Sequence, residues 1–159
     1  MKTPKTDALW RAFRAANLEA DDHYDVIWFG DSDEMADELA DLVTAGTKRA
    51  TAAALRSFGD DEPVPKVGDY IVLVDGSRQP RCIWRTIDVE IKPLNEVDEQ
   101  FAWDEGEGDR TVEWWLNAHR WYLAREAARE GYPFEDSIMT VFERFTVVWP
   151  PELADSPAP

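Results

Sequence analysis

Apolar residues in this chain recur at two periods, and the switches between them mark out its elements. Over 6–17, Leu9, Trp10, Phe13 and Ala16 fall on one side of a short helix. Tyr24-Asp25-Val26-Ile27-Trp28-Phe29 reads as a strand that ends at Gly30. Asp31 and Glu34 have the spacing of a capping box for a helix over 32–45, whose Met35, Leu39, Leu42 and Val43 lie at i, i+4, i+7 and i+8. Gly46 stops that helix. The Gly/Pro/acid stretch 57–66 predicts a loop. Tyr70–Val74 then alternates as a strand, Asp75-Gly76-Ser77 turns, and 81–91 runs back, because Asp-Gly between apolar runs is a hairpin signal. In the returning strand Cys82, Trp84, Thr86 and Asp88 face one way, and Arg81, Ile83, Arg85, Ile87 and Val89 the other.

The second half repeats the switch. A short helix is expected over 95–103, and an acidic turn, Asp104-Glu105-Gly106-Glu107-Gly108-Asp109, follows it. A long helix over 111–129 carries Val112, Trp115, Leu116, His119, Tyr122 and Leu123 on one stripe and ends at Gly131. The last strand spans 138–149, Pro150-Pro151 closes it, and the tail 152–159 reads as disordered. Mixed connections around a central hairpin predict an α+β fold, a small curved sheet or partly open β-barrel with flanking helices. The 159 residues suit one domain over 1–159.

Composition narrows the function. The chain is 44% hydrophobic with eight tryptophans, which argues for a packed core and places most of the tryptophans in it. A lone cysteine, Cys82, excludes an internal disulfide and reads as a small buried hydrophobe. His23 and His119 have no zinc-site spacing, and His119 reads as a buried, hydrogen-bonded histidine on its apolar stripe. No apolar stretch approaches 18 residues and no leader is evident, so a soluble cytoplasmic protein without membrane contact is expected. The net charge of −16 disfavours long duplex nucleic acid. Residues 48–92, however, hold eight cations against seven acids, leaving room for a local cationic pocket that suits a nucleoside or a short single strand.

Directly after the Gly46 stop stand Lys48 and Thr51, an amine and a hydroxyl three residues apart. A desolvated amine could take the hydroxyl proton and make Thr51 a nucleophile. On a regular strand the two side chains would point to opposite faces, so the pairing needs a local irregularity. The alternative is a solvated lysine and an ordinary strand threonine.

Gly46-x-Lys48-x-x-Thr51, Val67-Gly68-Asp69-Tyr70, Glu105-Gly106-Glu107-Gly108-Asp109 and Phe142-Glu143-Arg144-Phe145 occur in this order. Together they resemble the ASCH domain family (activating signal cointegrator homology), from about Asp25 to Trp149, and within it the larger bacterial branch with an N-terminal helical extension. That resemblance implies a PUA-like barrel and a cleft beneath the GxKxxT segment that receives RNA or a nucleoside. Small bacterial members are amidohydrolases for N4-acetylcytidine, in which the lysine is the base, the threonine the nucleophile and a downstream glutamate the acid. Carried over, these roles fall on Lys48, Thr51 and Glu107, with Glu105 the second choice for the acid. The mechanism asks for no metal and no cofactor. Other members are described as ribonucleases or as RNA-binding modules without catalysis, and both remain alternatives. The N-terminal helix, the long tryptophan-rich helix and the acidity depart from the small members and leave the substrate open.

Further substrate contacts are expected from Arg49, Arg85 and Arg144 toward phosphate or a base carbonyl, and from Trp28 and Tyr70 by stacking. If Lys48 meets Glu107, each keeps the other charged, which opposes both proton roles until substrate excludes water.

Overall fold

A computed structural model describes residues 1–156. Five strands, β1 (Asp25–Ile27), β2 (Ala50–Ala54), β3 (Tyr70–Val74), β4 (Pro80–Pro93) and β5 (Met139–Trp149), form one sheet in the order β1-β3-β4-β5-β2. β1 runs parallel to β3 and every other pair is antiparallel. The sheet curls into a half-barrel, the α+β architecture with a curved sheet that the sequence pattern predicts. β4 does most of the curling: its first half pairs with β3, and most of its length pairs with β5.

A register shift between Thr86 and Asp88 leaves Ile87 outside the ladder. That bulge corrects the simple alternation expected for this strand. Cys82, Trp84 and Thr86 keep one face, but beyond the bulge Asp88 turns to the opposite side, and Val89 takes the face of Thr86, opposite Glu143.

Four helices cover both faces: α1 (Pro4–Ala16), α2 (Asp33–Thr44), α3 (Glu99–Glu105) and α4 (Val112–Glu130). Trp10 and Phe13 of α1 pack on Val72, Val74 and Ile83. On the other face, Ala40 and Val43 of α2 pack on Leu73, Cys82, Trp84 and Phe145. Phe101 of α3 and Trp115 and Leu123 of α4 pack on Ala50, Ala54 and Phe142. The buried stripe of α2 is Ala36, Ala40 and Val43, one position round from the predicted one, because small alanines let the helix lie close on the sheet. Its N-cap is Ser32, whose hydroxyl accepts from the Met35 N–H, instead of an Asp31–Glu34 box.

Two further expectations need correction. Trp10, Trp84 and Trp115 are buried, but Trp28, Trp103, Trp114 and Trp121 are 37–58% exposed, so core packing does not account for most of the tryptophans. The tail is ordered over 152–156: Asp155 accepts from Arg49, from the Thr146 hydroxyl and from the Val147 N–H. Residues 157–159 lie outside the described residues. Among the described residues no helix is long and apolar enough to cross a membrane.

Candidate active site

The irregularity needed after Gly46 is present, and the neighbouring chain imposes it. The N–H groups of Thr47 and Lys48 both donate to Leu42 O at the end of α2, and Arg49 N–H donates to Asp104 O near the end of α3. Residues 47 and 48 are thereby held off the sheet, Arg49 O accepts from the Phe145 N–H of β5, and β2 begins at Ala50. Gly106 caps α3 with φ 73° directly against this segment. A Cβ at Gly106 would collide with the Thr47 carbonyl and lie 3.1 Å from Lys48 Cα, so glycine permits both the left-handed cap and the close approach.

This packing buries Lys48, which is 1% exposed. Its Nζ donates to Glu107 Oε2 at 2.9 Å, lies 3.6 Å from Glu105 Oε2, and sits 5.1 Å from the centre of the Phe29 ring. Glu105 is also 1% exposed; it closes the last turn of α3 and is not part of the acidic turn where the sequence pattern puts it. Its Oε1 lies 3.8 Å from His119 Nε2. The His119 ring stacks on Trp115 at 3.7 Å, and its Nδ1 lies 2.9 Å from Trp115 O, which makes Nδ1 the protonated nitrogen and leaves Nε2 a lone pair facing Glu105.

The charges can be assigned. Burial would push the Lys48 ammonium down, but the Glu105 and Glu107 carboxylates outweigh it and hold the amine above its ordinary range. Burial pushes Glu105 well up despite the opposing pull of Lys48. Burial would raise Glu107 too, but the Lys48 charge and the hydrogen bonds around it bring it down to about 2. Desolvation takes His119 down to about 4. One ammonium facing two buried carboxylates would leave a net negative charge, and a proton on Glu105 removes it. Burial therefore favours a proton on Glu105, while the Lys48 ammonium and the Glu107 carboxylate hold each other charged and His119 is neutral. A charged Lys48 beside a charged Glu107 is the resting pair expected if the two meet, and it opposes their roles as base and acid; burial favours the proton on Glu105, the second choice for the acid.

No hydrogen bond links Thr51 to Lys48 among the described residues; Lys48 hydrogen-bonds to the Glu105 carbonyl and the Glu107 carboxylate. Thr51 lies in regular β2, opposite Glu143 of β5, and therefore on the same face as Trp84 and Phe145. The two sites are linked through stacked rings: Lys48 lies over Phe29, Phe29 stacks on Trp84, and Trp84 Nε1 donates to Glu143 Oε2.

Among the residues expected to contact substrate, Arg49, Arg144 and Tyr70 have partners of their own, while Arg85 and Trp28 are exposed. Arg49 makes a two-pronged pair with Asp155. Arg144 points to the α3 side, among Asp88, Glu90, Asp98 and Asp104. Tyr70 packs with Trp10 and Phe13 under α1, and Arg85 lies over Tyr70 on that face. The Arg78 guanidinium lies over the Trp28 ring. Neither of two surface hollows, one of about 530 Å³ beside Trp103 and Arg110 and one of about 400 Å³ beside Arg56 and Tyr132, is lined by Lys48. Lys48 and Glu105 are closed off, and Glu107, with its side chain 22% exposed, is the member of the cluster nearest solvent. Among the described residues no group of His, Cys and carboxylates has metal-binding geometry. Cys82 is buried, which raises its thiol to about 12 and makes it a poor nucleophile.

The fold and the motifs have counterparts. The model of the ASCH domain matches residues 25–149. A crystal structure of an ASCH domain from Lactobacillus crispatus JV V101 superposes with a TM-score of 0.82 at 28% identity, over 91% of this chain and 94% of that one. The protein EF3133 from Enterococcus faecalis V583 gives 0.82 at 35% identity, over 91% and 88%. The hypothetical protein PH0355 shares the fold at a TM-score of 0.54 and 13% identity, over 79% and 100%. A search of curated proteins gave no match.

Proposed function

Because this chain belongs to the ASCH domain family, which is associated with RNA binding and hydrolase-like activity, we propose that it hydrolyses the acyl group from an N4-acylated cytidine, as a free nucleoside or in a short single strand. The observation that carries this reading is the buried cluster of one ammonium and two carboxylates, beside the strand that bears Thr51. An acylated exocyclic amine needs three things: a nucleophile for the carbonyl, positive charge where the oxyanion develops, and a proton for the departing amine. Thr51 is the nucleophile. Lys48, fixed as an ammonium by Glu107, stabilises the oxyanion in a site that excludes water. Glu105 holds the proton for the leaving nitrogen. Substrate entry requires the 106–110 turn to move, since Lys48 is otherwise sealed.

Phosphate binding as the main task has less support. Lys48 and Arg49, the cations of the motif, are both paired internally, and the net charge of −16 opposes a polyanion. The test is hydrolysis of N4-acetylcytidine by the purified protein, read as acetate and cytidine. Wild type is expected to turn over, and Lys48→Gln and Glu105→Gln each to lose roughly 100-fold or more. A wild type without turnover on the nucleoside and on an acetylated oligonucleotide rejects the proposal.

A further inference from the structure

An ionised Lys48 leaves the Thr51 proton without an acceptor. The sheet supplies a carboxylate that the proposed chemistry does not yet use. Glu143 is directly opposite Thr51 in the β2–β5 register, with Val89 of β4 on its other side. Directly opposed residues place their side chains on one face with Cβ atoms roughly 4.5–5.5 Å apart. The Glu143 side chain is buried, 6% exposed, among Trp84, Phe145 and Thr86. The Thr86 hydroxyl donates to its Oε2 at 2.7 Å and Trp84 Nε1 to the same oxygen at 3.3 Å. Both anchoring bonds go to one oxygen, so Oε1 is uncommitted. No cation pairs with Glu143 among the described residues, and the charged group facing it from the neighbouring turn is Asp69, an acid.

A buried carboxylate without a cation is costly, and a glutamine would accept from Thr86 and Trp84 equally well. Structure alone therefore does not call for the acid. We propose that Glu143 is the general base that activates Thr51, taking the hydroxyl proton on Oε1 while Thr86 and Trp84 hold Oε2. Burial and the Asp69 charge raise its pKa, against the pull of the two donors, which makes it a stronger base than Glu107 at about 2.

The step balances. The Thr51 O–H bond breaks and its proton passes to Glu143 as the Oγ–carbonyl carbon bond forms. The carbon–nitrogen bond breaks as the Glu105 proton passes to the departing amine. Water then attacks the threonyl ester and gives a proton back to Glu105. Glu143 returns its proton to Thr51 as the ester bond opens, and the carboxylic acid leaves.

The proposal rests on Thr51 being a nucleophile, and its test does not use the cytidine substrate. The full chain is mixed with p-nitrophenyl acetate, p-nitrophenolate release is followed at pH 7.5, and acid-quenched samples are mapped by peptide mass. Wild type should carry one acetyl group on Thr51, and Thr51→Val none. Glu143→Gln, which keeps the acceptor for Thr86 and Trp84, should acylate about 100-fold more slowly or worse. Glu143→Asp, a carboxylate withdrawn by one methylene, should fall between them. Circular dichroism melts report whether each variant is folded, and an unfolded Glu143→Gln leaves Glu143→Asp to decide. Acylation of folded Glu143→Gln or Glu143→Asp at the wild-type rate, or a wild type unlabelled at Thr51, overturns the proposal. Labelled Thr51 in a protein that leaves N4-acetylcytidine intact would reject the substrate reading and keep Glu143 as base.

Discussion

The clusters around Lys48 and Arg144 each set one cation among several carboxylates, and they differ in water. Lys48 meets Glu105 and Glu107 where its side chain is 1% exposed. Arg144 meets Asp88, Glu90, Asp98 and Asp104 at 3.2–4.0 Å, with its own side chain 22% exposed and those acids 26–56% exposed. By charge alone the Arg144 cluster is the stronger field. Water screens its excess charge, and the arginine pins α3 to β5. Around Lys48 water cannot screen, and burial drives the Glu105 carboxyl well above the usual carboxylate range. The buried cluster therefore favours a proton on one of its carboxyls.

The largest break in that comparison comes from removing each cation. Lys48→Met leaves Glu107 unpaired in the interior and should cost about 3–5 kcal/mol by urea unfolding at pH 7. Lowering the pH toward 4 should return part of that loss, because a protonated Glu107 no longer needs the ammonium.

Acid titration sharpens the comparison through His119 and Glu107. The folded pKa of His119 is depressed to about 4, from the ordinary 6.5. Its contribution is thus present above pH 6.5 and lost as pH falls through 4, at most about 3 kcal/mol. The folded pKa of Glu107 is depressed to about 2 from 4.5, so its contribution is kept above 4.5 and lost as pH falls through about 2. Thermal melts from pH 7 to 4 should drop for wild type, and the drop should be shallower in His119→Gln. Identical slopes would mean that the histidine is not desolvated.

A substitution at the backbone seam has an intermediate effect. Gly106→Ala must hold a Cβ at φ 73° against Thr47 and should cost about 1–3 kcal/mol, with a larger Lys48 exposure visible as faster lysine acetylation. The smallest change is expected at the exposed cluster. Arg144→Ala should cost less than about 1 kcal/mol, and that little should shrink further in 0.5 M salt. A loss above 2 kcal/mol would place Arg144 in the same class as Lys48.

The two clusters also divide what could be read in the sequence. Strands, helices and the α+β class follow from periodicity and from the Gly46 and Gly131 stops, which act locally. The convergence of Lys48 with Glu107 follows from the resemblance to ASCH domains, and the structure has it at 2.9 Å. What escaped depends on non-local placement. The Ile87 bulge has no composition signal, and it decides that Val89, not Asp88, stands opposite Glu143. Glu143 and Arg144 must face opposite ways in any strand, but only the docking of α3 decides which one faces Trp84. The carboxylate partner of Arg49, Asp155, lies in a tail that its composition marks as disordered. Glu105 and Glu107 look equivalent in sequence; the Gly106 cap separates a fully buried carboxyl from one whose side chain is 22% exposed. His119 was visible as a stripe residue, but its approach to Glu105 depends on how α4 crosses α3.

The central claim is that burial raises the Glu105 carboxyl in the Lys48 cluster while the Lys48 charge lowers Glu107. Carbon-13 NMR of carboxyl-labelled glutamate, assigned with Glu105→Gln and Glu107→Gln and titrated from pH 2 to 8, reads this directly. The account predicts a Glu105 carboxyl that is still protonated after the exposed glutamates have ionised, and a Glu107 carboxyl whose midpoint is near 2. Two carboxyls titrating together in the ordinary range near 4.5 would contradict it.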